Sequence, residues 1–415
     1  MSHLRSLALL LVVTPLAVAD DRGWTQFRGP DGSGISEAKG LPREWSEKKN
    51  VAWKVKVHDK GWSSPVVLGK QVWLTTASEG GKAQYALCFD RESGKLLHDL
   101  KVFDTPKLPY YIKPEFNSNA SPTPVIEPGR VYVHFGSAGT ACLDTETGKT
   151  IWSRRDLPCD HFRGPGSSPI LWENLILLTF DGFDQQYSVA LDKKTGETVW
   201  KTPRGLAGSI DNGDLKKAYC TPRVLSMDGK AQMVVSAANG TVSLDPRTGK
   251  ELWRVVHGGM NAATPPQFGH GLVYVTNGHL KSLLAIKPDG MGDVTKSHVK
   301  WESRKEAPSR PAPIVADGLV YLVNDSGQAS AMEAKTGKEV WRRRLGGDFY
   351  SSPVLADGHL YVIDRKGKCS ILAAGREGKL VSTCQLDGEV NATPAIAGKA
   401  LFIRTATHLY RIEEN

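Results

Sequence analysis

No apolar run after residue 19 is long enough to cross a bilayer, so no helical membrane span is expected beyond that point. None of the six cysteines is adjacent to another or set in a Cys-x-x-Cys spacing, which excludes a zinc knuckle and a haem-attachment motif. None directly follows the N-terminal apolar stretch, so a lipid anchor is not expected either. Gly29–Gly34 is followed by neither Lys-Ser/Thr nor a helix and is no phosphate loop. Gly166-Ser167-Ser168 is not the Gly-x-Ser-x-Gly elbow of an esterase. Helical 3.6-residue periodicity is missing after residue 20. The 42 glycines have no three-residue period, which rules out collagen. With 40% apolar residues and 53 Lys+Arg against 44 Asp+Glu, the chain is not disordered. Its +9 charge is scattered, with Arg342-Arg343-Arg344 the longest basic run, so nucleic acid is not an expected partner.

The first 19 residues have the layout of a secretory signal peptide. His3 and Arg5 precede an apolar run from Leu7 to Val18, and Ala17-Val18-Ala19 is the small-x-small site a signal peptidase reads. A mature chain starting near Asp20, periplasmic or secreted, is expected. Cys88, Cys142, Cys159, Cys220, Cys369 and Cys384 are too few in 415 residues for a disulfide scaffold. Position makes two pairs disulfide candidates, Cys159 with Cys220 at neighbouring strand starts and Cys369 with Cys384 on neighbouring strands; buried free thiols are the alternative.

What the chain has in quantity is repetition. Eight short segments each carry a proline, at Pro65, Pro124, Pro169, Pro222, Pro265, Pro313, Pro353 and Pro394, spaced 40 to 59 residues apart. After each come an apolar run, a Gly turn, an alternating strand such as Leu319–Val323, and a second strand. In the fullest copies a Thr-Gly turn and a Trp follow, as in Asp144–Trp152, Asp192–Trp200, Asp245–Trp253 and Glu333–Trp341. Period-2 apolar runs separated by Gly turns are strands and hairpins. Four strands per repeat of this length predict an all-β propeller. The eighth unit has room for three strands, and Asn50–Val57 with Trp53 supplies the fourth. The expected architecture is therefore an eight-bladed β-propeller closed by residues 50–57, with residues 20–49 as an N-terminal extension. Seven blades plus a cap is the alternative.

These repeats resemble the pyrroloquinoline-quinone (PQQ)-like propeller family, which includes quinoprotein alcohol dehydrogenases and the outer-membrane assembly factor BamB. The leader Trp24-Thr-Gln-Phe-Arg-Gly-Pro-Asp-Gly-Ser-Gly34 looks like that of exported planctomycete members. The resemblance implies the fold, and it implies PQQ with Ca²⁺ as cofactors if the dehydrogenase branch applies. No adjacent cysteines are present to flank a quinone, and no Glu/Asn/Asp trio falls on matched positions.

Loops leading to the inner strands, and those between second and third strands, gather at one mouth of the channel in such a fold. They offer Trp62, Asn117, Asn119, His161, Arg163, Asp181, Asp184, Tyr219, Asn261, Arg310, Tyr350 and Asn391 as candidate ligand contacts. Asp181, Asp184 and Asn119 are candidate oxygen ligands for Ca²⁺, and the alternative is that the two aspartates cap their own turn. Residues 101–118, with Pro106, Pro109, Tyr110, Tyr111, Pro114 and Phe116, form an insert suited to sugar or peptide contact. No catalytic residue can be assigned. The expected function is a scaffold binding a protein, small molecule or glycan at the channel mouth. The alternatives are a PQQ- and Ca²⁺-dependent dehydrogenase of alcohols or sugars, and a carbohydrate-active enzyme.

Overall fold

Alternating Val, Leu, Ile and Tyr runs, broken by turns with left-handed glycines, fold into eight sheets of four antiparallel strands each, two of which gain a short fifth, parallel strand, described in a computed structural model. The structure describes residues 23–414 except 109–111, 113, 114, 207, 209, 305 and 306. The expected signal peptide and insert residues Pro109, Tyr110, Tyr111 and Pro114 lie outside the described residues.

The sheets are the blades. The first runs Val66–Leu68, Gln71–Ala77, Ala83–Asp90, Leu96–Asp104. The third runs Ile170–Trp172, Leu175–Asp181, Gln186–Asp192, Thr198–Pro203. The eighth is completed across the termini: Val51–Lys56 pairs antiparallel with His408–Ile412, Val55 opposite Leu409. The eight-blade expectation with N-terminal closure is what the structure has, and pairing the first strand with the last leaves no unclosed seam. Second strands are buried along nearly all their length, as in Leu175–Asp181, because both faces meet a neighbouring blade. Outer strands such as Leu380–Gln385 are mostly solvated.

In five blades the repeated Trp locks one blade to the next, whereas Trp253 of the fourth donates within its own blade to Gln232 Oε1. A register shift just before it turns the ring toward the following blade, as between Ala190 and Leu191 opposite Trp200. The indole N–H then donates to a turn carbonyl of that blade: Trp53 to Arg91 O, Trp152 to Lys193 O, Trp200 to Pro246 O, Trp301 to Ala334 O and Trp341 to Gly375 O, all at 2.9–3.1 Å. The Thr-Gly turn supplies the seat. A Cβ on Gly196 would stand 2.7 Å from the Trp152 ring, and Gly196 has φ +76°, so glycine is required by both contact and conformation. Where the first blade lacks Trp, His98 takes its place, stacked on Trp73 and 3.3 Å from Thr145 O. In the seventh blade Ser382 stands there and donates to Arg43 O of the N-terminal extension at 2.5 Å.

All six cysteines are free and buried, so neither candidate pair is bridged in the structure. Cys159 Sγ lies 3.8 Å from His161 Nδ1, and Cys220 Sγ donates to Thr264 O. Cys369 and Cys384 are cross-strand partners, as their positions suggested, but remain thiols.

Candidate functional site: a blind cavity at the channel mouth

Seven of the eight prolines that open the blades follow a Ser or Thr, and the physical use of that hydroxyl is a ring. In six of the eight blades the backbone N–H of the residue before the proline donates to the hydroxyl of its counterpart in the next blade. Ser64 donates to Thr123, Thr123 to Ser168 and Ser168 to Thr221, at 2.9–3.0 Å. Ala312 donates to Ser352, Ser352 to Thr393 and Thr393 back to Ser64, at 2.9–3.1 Å. The series lapses at Thr264, whose hydroxyl turns to Thr276, and at Ala312, which has none.

Six of these hydroxyls, those of Ser64, Thr123, Ser168, Thr221, Ser352 and Thr393, line a cavity of about 450 Å³ on the axis. Its floor is the leader. Trp24 pairs with Val67 of the first blade, Thr25 O accepts from Ile126 of the second, and Ile35–Ser36 adds a parallel strand inside the seventh. Between these anchors Phe27 faces the cavity, and Arg28, fully buried, reaches Pro353 O at 3.1 Å and Pro313 O at 2.9 Å. The leader thus crosses the channel like a cork, and the cavity opens at one end. Gly34 must lack a Cβ because one would stand 2.5 Å from the Arg28 guanidinium.

The insert reaches over the open end. Asn117 Nδ2 donates to Pro165 O at 2.9 Å, and Tyr350 OH donates to Glu115 O at 3.3 Å. Phe116 lies under the Arg163 guanidinium at 4.7 Å. Arg310 and Arg365 stack on Tyr350 at 4.1 and 4.4 Å, and Trp62 meets the same ring edge-on at 5.5 Å.

Of the twelve residues singled out from sequence, Trp62, Asn117, Arg163, Tyr219, Asn261, Arg310, Tyr350 and Asn391 line this one cavity. The other four do not. His161 is buried between blades, its Nε2 accepting from Ser137 N at 3.1 Å, and burial pushes its pKa down to about 4. Asp181 is buried and ion-paired with Arg204; burial pushes its carboxyl up while Arg204 opposes this. Asp184 accepts from the backbone N–H groups of Asp160 and Gln185, the turn-capping role. Asn119 sits where a Cβ on Gly81 would strike it. The expected Ca²⁺ set of Asn119, Asp181 and Asp184 is therefore not assembled at the cavity. Among the described residues no three His, Cys, Asp or Glu side chains gather in a metal-holding group.

Two features escaped sequence reading. The hydroxyl ring was visible as the Ser/Thr before each Pro, but the hydroxyls serve neighbouring blades, and a one-dimensional pattern does not show that. Phe27 and Arg28 were visible in the leader, yet nothing local says that it enters the channel.

The electrostatics of the site are lopsided. Arg163, Arg310 and Lys281 line it against one carboxylate, Asp325, which is held by Arg310 at 3.2 Å and by Ser309 N at 2.8 Å. Behind the wall, Arg28 and Arg404 are buried and make no ion pair among the described residues. Burial pushes both guanidinium groups down to about 9, with Arg223 adding to the effect on Arg28.

Comparison with known proteins agrees with this architecture. The family described as outer membrane protein assembly factor BamB matches residues 43–182, 185–291 and 291–380. BamB from Moraxella catarrhalis superposes with a TM-score of 0.60 at 13% identity, over 87% of this chain and 99% of that one. Quinohemoprotein alcohol dehydrogenase from Comamonas testosteroni gives 0.70 at 10% identity, over 96% and 82%. Tetrathionate hydrolase of Acidithiobacillus ferrooxidans is 24% identical over 262 residues, covering 56% of this chain. The match spans 50% of that relative's own length.

Proposed function

The chain belongs to the BamB-like PQQ-propeller family, and from that premise we propose that it is an exported binding protein whose small-molecule ligand enters the one-ended cavity at the channel mouth. The observation that carries this reading is the convergence of eight polar and aromatic loop residues from separate blades on one cavity floored by Phe27. A channel used only as a structural axis has no need of a floor that the leader builds from across the ring.

The two enzymatic alternatives fit less well. A quinone cofactor needs facing ring planes and a cation site. Here the Tyr350 and Phe116 rings already carry guanidinium groups, and the cavity lining offers one carboxylate, engaged by Arg310. Glycoside cleavage uses a carboxylate pair across a cleft, and among the described residues Asp325 is the sole carboxylate in the lining.

The test is a thermal-shift scan of the mature protein against a metabolite library that includes PQQ with and without Ca²⁺. A ligand bound only by the native state raises the midpoint. Saturable shifts that vanish in Ser168→Phe, which fills the cavity, are the expected result. Shifts that survive the filling put the site elsewhere, and no shift from any compound overturns the reading.

A further inference from the structure

The lining of the cavity states which chemistry it would hold. Each of the six ring hydroxyls accepts a hydrogen bond from the neighbouring blade, and none donates its own hydrogen to a protein acceptor among the described residues. Around the leader floor the wall therefore carries an interrupted ring of six O–H donors awaiting acceptors. Above it, Arg163 and Lys281 have no carboxylate partner among the described residues, whereas Arg310 has Asp325. Low-dielectric walls with two buried, unpaired arginines behind them focus a positive potential into the cavity. Donors plus uncompensated positive charge call for an anion rich in oxygen acceptors.

Size and shape narrow the class. A cavity of about 450 Å³ is an order of magnitude larger than the share of one water, so a lone inorganic oxyanion leaves most of it unfilled. A flat aromatic anion lacks a slot: Phe116 and Tyr350 are covered by guanidinium groups, and Trp62 meets Tyr350 at 72° rather than face to face. No cation lies over Trp62, Tyr219 or Phe27 among the described residues, so these rings present apolar surface for the C–H face of a puckered ring. Asn261 Oδ1 and Asn391 Oδ1 have no hydrogen-bond partner among the described residues, and a side-chain amide both donates and accepts, as sugar hydroxyls require.

We propose that the cavity binds an acidic carbohydrate, a sugar acid or short oligouronide, with its carboxylate on Arg163 and Lys281 and its hydroxyl oxygens on the Ser/Thr ring. This rests on the small-molecule reading above and specifies the ligand class for it.

The experiment is calorimetric titration of the whole mature chain with trigalacturonate, maltotriose, benzene-1,3,5-tricarboxylate and sulfate, at low and physiological salt. Trigalacturonate is expected to bind at least tenfold more tightly than maltotriose, and more weakly at higher salt. Arg163→Gln is expected to lower that affinity at least tenfold and Lys281→Gln several-fold. Arg342→Gln, on the outer strand of the sixth blade, leaves it unchanged. Lys281 is exposed, so its variant keeps the test valid should Arg163→Gln fold poorly. Equal affinity for maltotriose, or tighter binding of the flat tricarboxylate or of sulfate, overturns the acidic-sugar assignment and leaves the small-molecule reading standing. Failure of all four probes overturns the assignment. If the metabolite scan also fails, the small-molecule reading falls with it.

Discussion

The backbone N–H of Thr393 in the eighth blade donates to the Ser64 hydroxyl of the first at 3.0 Å, joining residues 329 positions apart. This bond closes on the channel side the seam that Val51–Lys56 closes toward the outside. Both residues are nearly inaccessible at the cavity wall, so removing the acceptor leaves the Thr393 N–H without its protein partner. Ser64→Ala is expected to cost about 1–3 kcal/mol, read as a lower urea midpoint with an unchanged slope. A change below experimental error would show that the ring merely accompanies closure.

The Trp seats separate hydrogen bonding from packing. Trp152→Phe keeps a ring over Gly196 but loses the bond to Lys193 O, an expected loss of about 1 kcal/mol. Trp152→Ala empties the seat and is expected to cost roughly 3–5 kcal/mol. Gly196→Ala meets both the ring and a left-handed φ, and about 1–2 kcal/mol is expected from the conformation alone. Equilibrium unfolding of the three variants gives the order.

Acid should weaken the fold before its carboxylates titrate. Burial holds His161 and His134 neutral, pushed down to about 4 and about 3, with His161 adding to the effect on His134. In the unfolded chain a histidine takes its proton near pH 6.5. Between pH 6.5 and 4 the unfolded state therefore binds protons that the folded state refuses. Stability is complete above this window and falls as pH drops through it, on the order of 3 kcal/mol for His161 alone. Protonation would also cost the Ser137 N–H its acceptor on Nε2. Urea midpoints at pH 7.0 and 4.5 should differ less in His161→Asn than in the parent. An equal difference would assign the acid sensitivity elsewhere.

All six thiols should be countable. Burial pushes Cys142 and Cys220 up to about 12 and Cys384 to about 11, so none is reactive in the folded chain. Thiol titration should read near zero before denaturation and six after it. An intact mass two daltons lower would mean that Cys369 and Cys384 join across their strands.

Arg28 should hold the cork. Arg28→Ala removes the bonds to Pro313 O and Pro353 O. Amide exchange over residues 24–36 is expected to speed at least tenfold, with the outer strands unaffected. Uniform acceleration would mean a global loss of stability instead of a loosened plug.

The amino-acid sequence by itself determined the blade count, the antiparallel four-strand core of each blade and the closing strand around Trp53. Those follow from local periodicity, turn chemistry and repetition, all of which act along the chain. It also pointed to most of the cavity wall, because residues flanking inner strands must surround the axis whatever else they do. Tertiary structure decided the rest. Asp181 and His161 sit in mouth loops as Arg163 does, yet Arg204 at the end of the same blade's outer strand claims Asp181 and Ser137 of the preceding blade claims His161, and neither pairing is written in local sequence. Whether Cys159 and Cys220 bond depends on where two strand starts point their side chains, which no spacing encodes. The leader shows the same limit most plainly: Phe27 and Arg28 acquire a role only when a channel exists for them to fill, and that channel is the joint product of eight blades.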